Sequence, residues 1–231
     1  MSEASNFVLA ASWIDLLTPE QQIRVRRSTV IERFAAGTII ERKGDWARAW
    51  LGVLDGLVKI SVGSSDGRLV SFTGIPPGGW VGEGSLVKRE RRKYDVIALR
   101  ESVVARVPDD TFQWLLDISI PFNRFVLVQM NERLAQFIGR SEYRLLEPDA
   151  RVARHLAELF NPLLYPGTGL RLAITQEELG YLAGVSRQRA NRALRKLEDA
   201  GVLTVSYGAI DVRDLERLKH FGETAPDDAQ Q

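Results

Sequence analysis

Eleven of the 19 glycines in the chain fall between Ile31 and Val107, at positions 37, 44, 52, 56, 63, 67, 74, 78, 79, 82 and 84. Each glycine inside a helix costs about 1 kcal/mol relative to alanine, so a helix-rich fold is excluded for this stretch. Short apolar alternations between the glycines read instead as strands joined by tight turns. The clearest hairpin runs from Leu57 to Val62, turns through Gly63-Ser64-Ser65-Asp66-Gly67 and returns from Arg68 to Thr73. Asp66-Gly67 supplies the positive-φ positions that such a turn needs. An antiparallel β-roll or barrel is the expected container.

After Pro108 the period changes. Phe112, Leu115 and Leu116 suit a short helix opened by Asp109 or Asp110, and Ser119-Ile120-Pro121 punctuates the chain before a longer one. In that helix Leu127, Met130, Leu134 and Phe137 recur at steps of three, four and three, followed by Ser141 and Leu145. This is an a/d seam over about three heptads. It either meets the same seam of a second copy, making a homodimer, or packs on its own β-roll. Glu147-Pro148-Asp149 ends the helix, and Asp149 is placed to cap the next one. The expected organisation is therefore α+β: a β-roll over residues 1–120, a dimerisation helix over 121–147 and a further domain over 148–231. Within the last, residues 162–169 are loop by composition.

Composition narrows the chemistry. With 231 residues the chain can bury a core, and the absence of cysteine removes disulfides, thiolate zinc sites, iron–sulfur clusters and thiol nucleophiles. Only His155 and His220 carry imidazoles, so no metal site is expected. The apolar run Phe7 to Ala11 is too short for a signal peptide, and nothing approaches a membrane span, which reads as a cytoplasmic chain without membrane partners. The net charge of +1 hides an uneven distribution. From Asp149 to His220 there are 11 basic and 9 acidic residues, yet Ser186 to Leu197 holds five basic residues and no acid.

That basic stretch belongs to the most informative motif. Thr175-Gln-Glu-Glu178 is a capping box that opens one helix. Gly184 provides a turn, Ser186 caps a second helix, and Gly201 ends it. Two helices across a glycine turn form a helix-turn-helix. On the second helix Ala190, Ala193, Leu194 and Leu197 gather as a core face. Gln188, Asn191, Arg192 and Arg195 lie opposite, with Arg187 on the first turn and Arg189 and Lys196 on the flank. Arginine pairs bidentately with guanine, and glutamine or asparagine with adenine, so this face suits double-stranded DNA. Residues 202–206 and 209–212 read as a hairpin around Tyr207-Gly208, making the unit a winged helix.

This order of parts resembles the CRP/FNR family of bacterial transcription regulators over roughly residues 34–221. The resemblance is carried by Phe34-Ala-Ala-Gly-Thr-Ile-Ile, Gly56-Leu-Val-Lys, Asp66-Gly-Arg, Pro77-Gly-Gly-Trp-Val-Gly-Glu83 and the run from Ile174 to Arg192. It implies a DNA-binding homodimer on a two-fold-symmetric operator, with bases read by Arg187, Gln188 and Arg192; the exposed face adds Asn191. It places Thr175, Gln176 and Ser186 on phosphates, where Arg189, Arg195 and Lys196 join them by charge. It also makes residues 161–169 the surface that meets RNA polymerase. The glutamine at 188, where the catabolite-activator type has a glutamate, implies an operator related to that site but not identical with it.

For the β-roll the resemblance implies a small-molecule effector, a cyclic mono- or dinucleotide. In cyclic-AMP-binding relatives a Gly-Glu segment opens a short helix at the phosphate, and an Arg followed by Ser or Thr completes the clamp. Gly82-Glu83-Gly84-Ser85 supplies the first half. The family's spacing puts Lys93, Tyr94 and Asp95 where the second half would stand, and the carboxylate of Asp95 would repel a phosphate. Arg92 reaches the clamp position only by a one-residue slip, which in a strand reverses the side chain. The effector candidates are thus Gly82, Glu83, Gly84, Ser85, Arg92, Lys93 and Tyr94, with simple cyclic AMP disfavoured. Lys88-Arg-Glu-Arg-Arg-Lys93 is either a solvated loop or a site for a larger anion on the outer face. Two further readings stay open: a pocket filled by the protein's own side chains, and a roll kept only as a dimerisation scaffold. An enzyme cradling phosphate at residues 78–85 is disfavoured, because no catalytic constellation accompanies those glycines.

Overall fold

A computed structural model describes residues 11–63, 69–143 and 145–223. The turn at Asp66-Gly67 and most of the apolar run Phe7 to Ala11 lie outside the described residues. The chain enters through a single 3-10 turn, Ile14–Leu16, and helix α1, Pro19–Ser28, which Thr18 opens with a reciprocal capping box to Gln21. Eight strands follow: β1 (Val30–Phe34), β2 (Ile39–Glu41), β3 (Ala49–Asp55), β4 (Val58–Gly63), β5 (Leu69–Ile75), β6 (Trp80–Val81), β7 (Asp95–Ala98) and β8 (Ser102–Pro108). A short helix α2, Glu83–Val87, interrupts them after β6. They form two antiparallel four-stranded sheets, ordered β1-β8-β3-β6 and β2-β7-β4-β5. The expected hairpin is β4 with β5, paired from Val58 opposite Ile75 to Gly63 opposite Leu69 with a one-residue shift between Ile60 and Ser61.

The roll has an aliphatic interior between its sheets, including Leu51, Val58, Ile60, Ile75, Val96 and Val104. A second, aromatic cluster lies on one end, where Trp13, Trp50, Trp80, Phe112 and Phe122 meet; Trp50 and Trp80 have ring centroids 4.3 Å apart. Gly52 is required there, because a Cβ on it would lie 2.6 Å from the Trp80 ring.

Helix α3, Asp109–Ile118, has Pro108 at its N-cap position without a side-chain cap, so neither Asp109 nor Asp110 opens it as expected. Asp110 is two residues past that position and accepts from the Thr111 amide at 2.6 Å instead. Helix α4, Ile120–Tyr143, stops four residues before the expected end at 147, and Leu145 lies beyond it, 88% exposed. Helix α5, Pro148–Glu158, starts with proline at its first turn, and Glu147 rather than Asp149 holds the N-cap position. Asp149 lies inside the first turn, one residue after Pro148, and its carboxylate pairs with Lys196.

The remaining elements are β9 (Arg171–Ala173), α6 (Gln176–Ala183), α7 (Arg187–Asp199), β10 (Leu203–Ser206), β11 (Ala209–Val212) and α8 (Leu215–Lys219). Strand β9, which has no signature in the sequence, joins the expected wing hairpin in a three-stranded sheet, β10-β11-β9. Only three residues long, it carries one buried side chain, Leu172, too little for an alternation to show.

Candidate nucleic-acid interface and sensor site

Helix α6 begins with the capping box expected of it: the Glu178 amide donates to Thr175 Oγ1 at 3.2 Å and the Thr175 amide to Glu178 Oε2 at 2.7 Å. Gly184 ends the helix at φ +64°, a left-handed conformation costly for residues with a Cβ, and so turns the chain into α7. Ser186 caps α7 by accepting from the Arg189 amide at 3.2 Å. Ala190, Ala193, Leu194 and Leu197 are all buried at 0–1% exposure, so the roll angle of the helix is fixed by packing. Its opposite face, Arg187, Gln188, Arg192 and Arg195, is exposed, as is Arg189.

Besides the caps Thr175 and Ser186, three more of the expected DNA residues, Gln176, Asn191 and Lys196, have side-chain partners within the protein. Asn191 is half-buried and accepts from Gln176 Nε2 at 3.2 Å, which fixes its amide. Lys196 is exposed but paired with Asp149, so part of its charge is already spent. Between α6, α7 and the β10–β11 wing runs a groove of about 370 Å³ lined by Thr175, Gln176, Arg187, Ser206 and Tyr207 among others. Tyr207 stands fully exposed at the wing tip.

The seam of α4 is open. Leu127, Met130, Leu134 and Phe137 are 66, 37, 56 and 38% exposed, so much of the seam is left open, while Phe137 also meets the ring of Phe72 on β5 of the roll edge-on at 5.8 Å. The face that does pack inward is Phe122, Val126, Gln129, Arg133 and Gln136. Its lower half is polar and grips the chain beyond residue 157. Gln129 donates to the Leu163 carbonyl at 2.5 Å and Gln136 to that of Glu158 at 3.3 Å, while Arg140 pairs with the Glu158 carboxylate. Sequence reading missed this stripe, although its steps of four and three mirror those of the seam.

Arg133 is the centre of the sensor site. Its Nη2 donates to the Trp80 carbonyl at 2.8 Å, its Nη1 reaches the Tyr165 hydroxyl at 3.4 Å, and its Nε lies 3.6 Å from Glu83 Oε1. Burial works against its charge, but Tyr165, Glu83 and Tyr94 more than offset this and raise its pKa. Glu83 and Ser85 are buried, and Glu83 Oε2 has no hydrogen-bond partner among the described residues.

Arg92 is buried to 1%, with Nη1 on the Gly82 carbonyl at 2.8 Å, Nη2 on that of Ala49 and Nε 3.5 Å from Glu41. The alternation rule did not apply to it, because β7 starts only at Asp95. Desolvation, with Glu83 adding to it, pushes the Tyr94 hydroxyl up to about 12. Asp95 accepts from the Lys43 amide at 2.7 Å. Of the run 88–93, Lys88 and Lys93 are exposed and pair with Glu90, and Arg89 and Arg91 are exposed.

These residues do not fit a cyclic nucleotide held as the resemblance implies. The guanidinium that would grip phosphate is spent on backbone carbonyls, and the carboxylate that would take a ribose hydroxyl faces Arg133. Among the described residues no group of three or more His, Asp or Glu could hold a metal ion, and no helix is long and apolar enough to cross a membrane.

Comparison with known proteins agrees with this architecture. Residues 31–119 match the cyclic nucleotide-binding domain family and residues 150–221 the Crp-like helix-turn-helix domain family. The cAMP-activated global transcriptional regulator Vfr of Pseudomonas aeruginosa is 26% identical over 181 residues, 75% of this chain and 84% of the relative. FixK2 from Bradyrhizobium japonicum, 19% identical, shares the fold with a TM-score of 0.66 over 86% of this chain and 99% of its own. The c-di-GMP responsive global regulator CLP of Xanthomonas campestris is 25% identical, with a TM-score of 0.57 over 84% of this chain and 99% of its own. A β-roll of the cyclic-nucleotide-binding type followed by a Crp-like helix-turn-helix therefore places the chain in the CRP/FNR family of DNA-binding transcription regulators.

Proposed function

We propose that the protein works as a homodimer joined through Leu127, Met130, Leu134 and Phe137, and reads a two-fold-symmetric operator. In this reading residues 1–120 are the sensor, 121–147 the dimer helix and 148–231 the DNA-reading head. Arg187, Gln188, Asn191 and Arg192 face base edges, and Thr175, Gln176, Ser186, Arg189 and Arg195 hold phosphates, with Lys196 secondary because of Asp149. The carrying observation is that α7 buries all four of its apolar side chains and leaves its arginines exposed on the opposite face. Residues 161–169 would meet RNA polymerase, with Leu163 half exposed on that loop.

Selection from a random pool of duplexes tests this. It should return a symmetric site with half-sites about one helical turn apart. Arg192→Ala should then cost about 1–3 kcal/mol at a single base pair and relax specificity there. An equal loss on all sequences would make Arg192 a phosphate contact and overturn its assignment.

Modulation through the roll by a nucleotide-type effector follows the relatives, of which Vfr is cAMP-activated. A second reading, DNA binding without an effector, is supported by the Glu83–Arg133–Tyr165 contacts, which occupy the expected position of the ligand with the protein's own side chains.

A further inference from the structure

The outer face of the roll carries a concave pocket of about 490 Å³ lined by Ile39, Ile40 and Glu41 at its floor and by Arg42, Trp46, Arg48, Arg91 and Arg106 around them, with Asp45 the other acid. Trp46 is 52% exposed, and the Arg91 guanidinium sits 5.0 Å from its ring centroid. Among the described residues Arg106 is the one pocket arginine in ion-pair range of an acid, Glu32 and Glu41. The surrounding loop is held in place by two backbone bonds, the Gly44 amide to the Arg92 carbonyl at 2.9 Å and the Arg92 amide to that of Asp45 at 2.8 Å, and by the Arg91 side chain, whose Nη1 donates to the Gly44 carbonyl at 2.7 Å. The pocket is therefore formed before any ligand arrives, and its side chains are those that hold phosphate by forked donors and a planar base by stacking.

Its floor leads inward. Glu41 binds Arg106 at 2.6 Å on the pocket side and Arg92 on the buried side; Arg92 holds Gly82, next to the Glu83 that faces Arg133 of the dimer helix. An anion that draws Arg106 away from Glu41 thus perturbs a continuous chain of polar contacts ending at Tyr165.

We propose that this pocket binds a phosphorylated nucleotide, and that the regulator takes its effector here rather than inside the roll. The inference rests on the reading of the chain as a DNA-binding regulator and names the ligand class and place of its control. The run 88–93 contributes through Arg91, while its neighbour Arg92 belongs to the inner network.

The test uses the full-length protein and calorimetric titration with cyclic di-GMP, GTP and cyclic AMP, with inorganic phosphate as a separate arm. At least one nucleotide should bind saturably, should be weakened about tenfold or more by Trp46→Ala and by Arg48→Ala, and should outcompete inorganic phosphate. Both side chains are exposed, and unchanged melting temperatures would show that the variants fold. Three results would overturn the proposal: no nucleotide binds, binding survives both substitutions, or inorganic phosphate competes equally. The same preparations are assayed on the selected duplex. A protein that binds the duplex but no nucleotide removes this site and leaves the DNA reading intact, and one that binds nucleotide but no duplex does the reverse.

Discussion

His155 lies on α5 facing the dimer helix, with its side chain 12% exposed and stacked edge-on against Tyr143 at 5.5 Å. Burial, helped by Arg140 and Arg151, pushes its pKa down to about 3 from 6.5. Between those values the unfolded chain carries a proton that the folded chain does not. Stability therefore falls as pH drops below about 6, by roughly 1.4 kcal/mol per unit from this group. Burial raises the pKa of neighbouring Glu158, which opposes the loss at pH values above about 4.5, so the window from about pH 6 to 5 is read against a variant that lacks the imidazole. Urea unfolding across it should show this slope, and His155→Gln should flatten it; an unchanged slope would clear His155 of the effect. Residue-level meaning was legible on α7, where a 3.6-residue period alone separates Arg192 from Ala193. It was not legible for Arg133 or Arg92, because burial of a charge depends on partners distant in sequence: Trp80 and Tyr165 for the first, Ala49 and Gly82 for the second.

Among the elements, α4 shows most directly what a single helix can be asked to do. One stripe is apolar and open, and the other, ending in Gln129, Arg133 and Gln136, is polar and inward. The open stripe predicts that Leu127→Glu or Leu134→Glu yields monomers in sedimentation velocity. Affinity for the symmetric site should fall about a hundredfold or more, since the two heads are no longer linked. A variant that stays dimeric would send the interface elsewhere. The seam could be read in advance because apolar side chains repeat in it at heptad spacing. The end of α4 at Tyr143 could not, since apolar Leu145 continues the pattern after the backbone has left the helix. Likewise, the hairpin of the wing was legible from its two alternating runs, whereas β9 was not.

In the whole molecule, the head rests on the sensor at two kinds of contact. Arg100, from the loop between β7 and β8, pairs through Nε and Nη2 with Glu178, the same carboxylate that caps α6. Leu182 and Leu159 lie against Gly74 of β5. Arg100→Ala leaves the capping box intact but loosens the head on the sensor, so DNA binding must then also restrict its orientation. Operator affinity should fall about five- to tenfold, within the usual range of coupling energies, and Arg100→Lys should recover part of it. Equal affinity in a gel-shift titration would show that the pair does not orient the head. The two-domain order was legible from glycine spacing and the capping box. The docking of one part on the other was not, because Arg100 and Glu178 stand 78 residues apart and nothing in either neighbourhood marks them as a pair.

One further contact differs in kind. At Gly78 a Cβ would lie 2.8 Å from the Gly167 amide, and at Gly167 one would lie 3.0 Å from the Pro77 carbonyl, so here main chain meets main chain. Such a junction admits no gradation: any side chain at either position forces the two surfaces apart, and none can draw them closer. The Arg100–Glu178 pair can instead be lengthened, shortened or weakened one substitution at a time. Variation in how firmly sensor and head are coupled would therefore accumulate at the charged contact, while the glycine contact acts as the fixed datum from which that variation is measured.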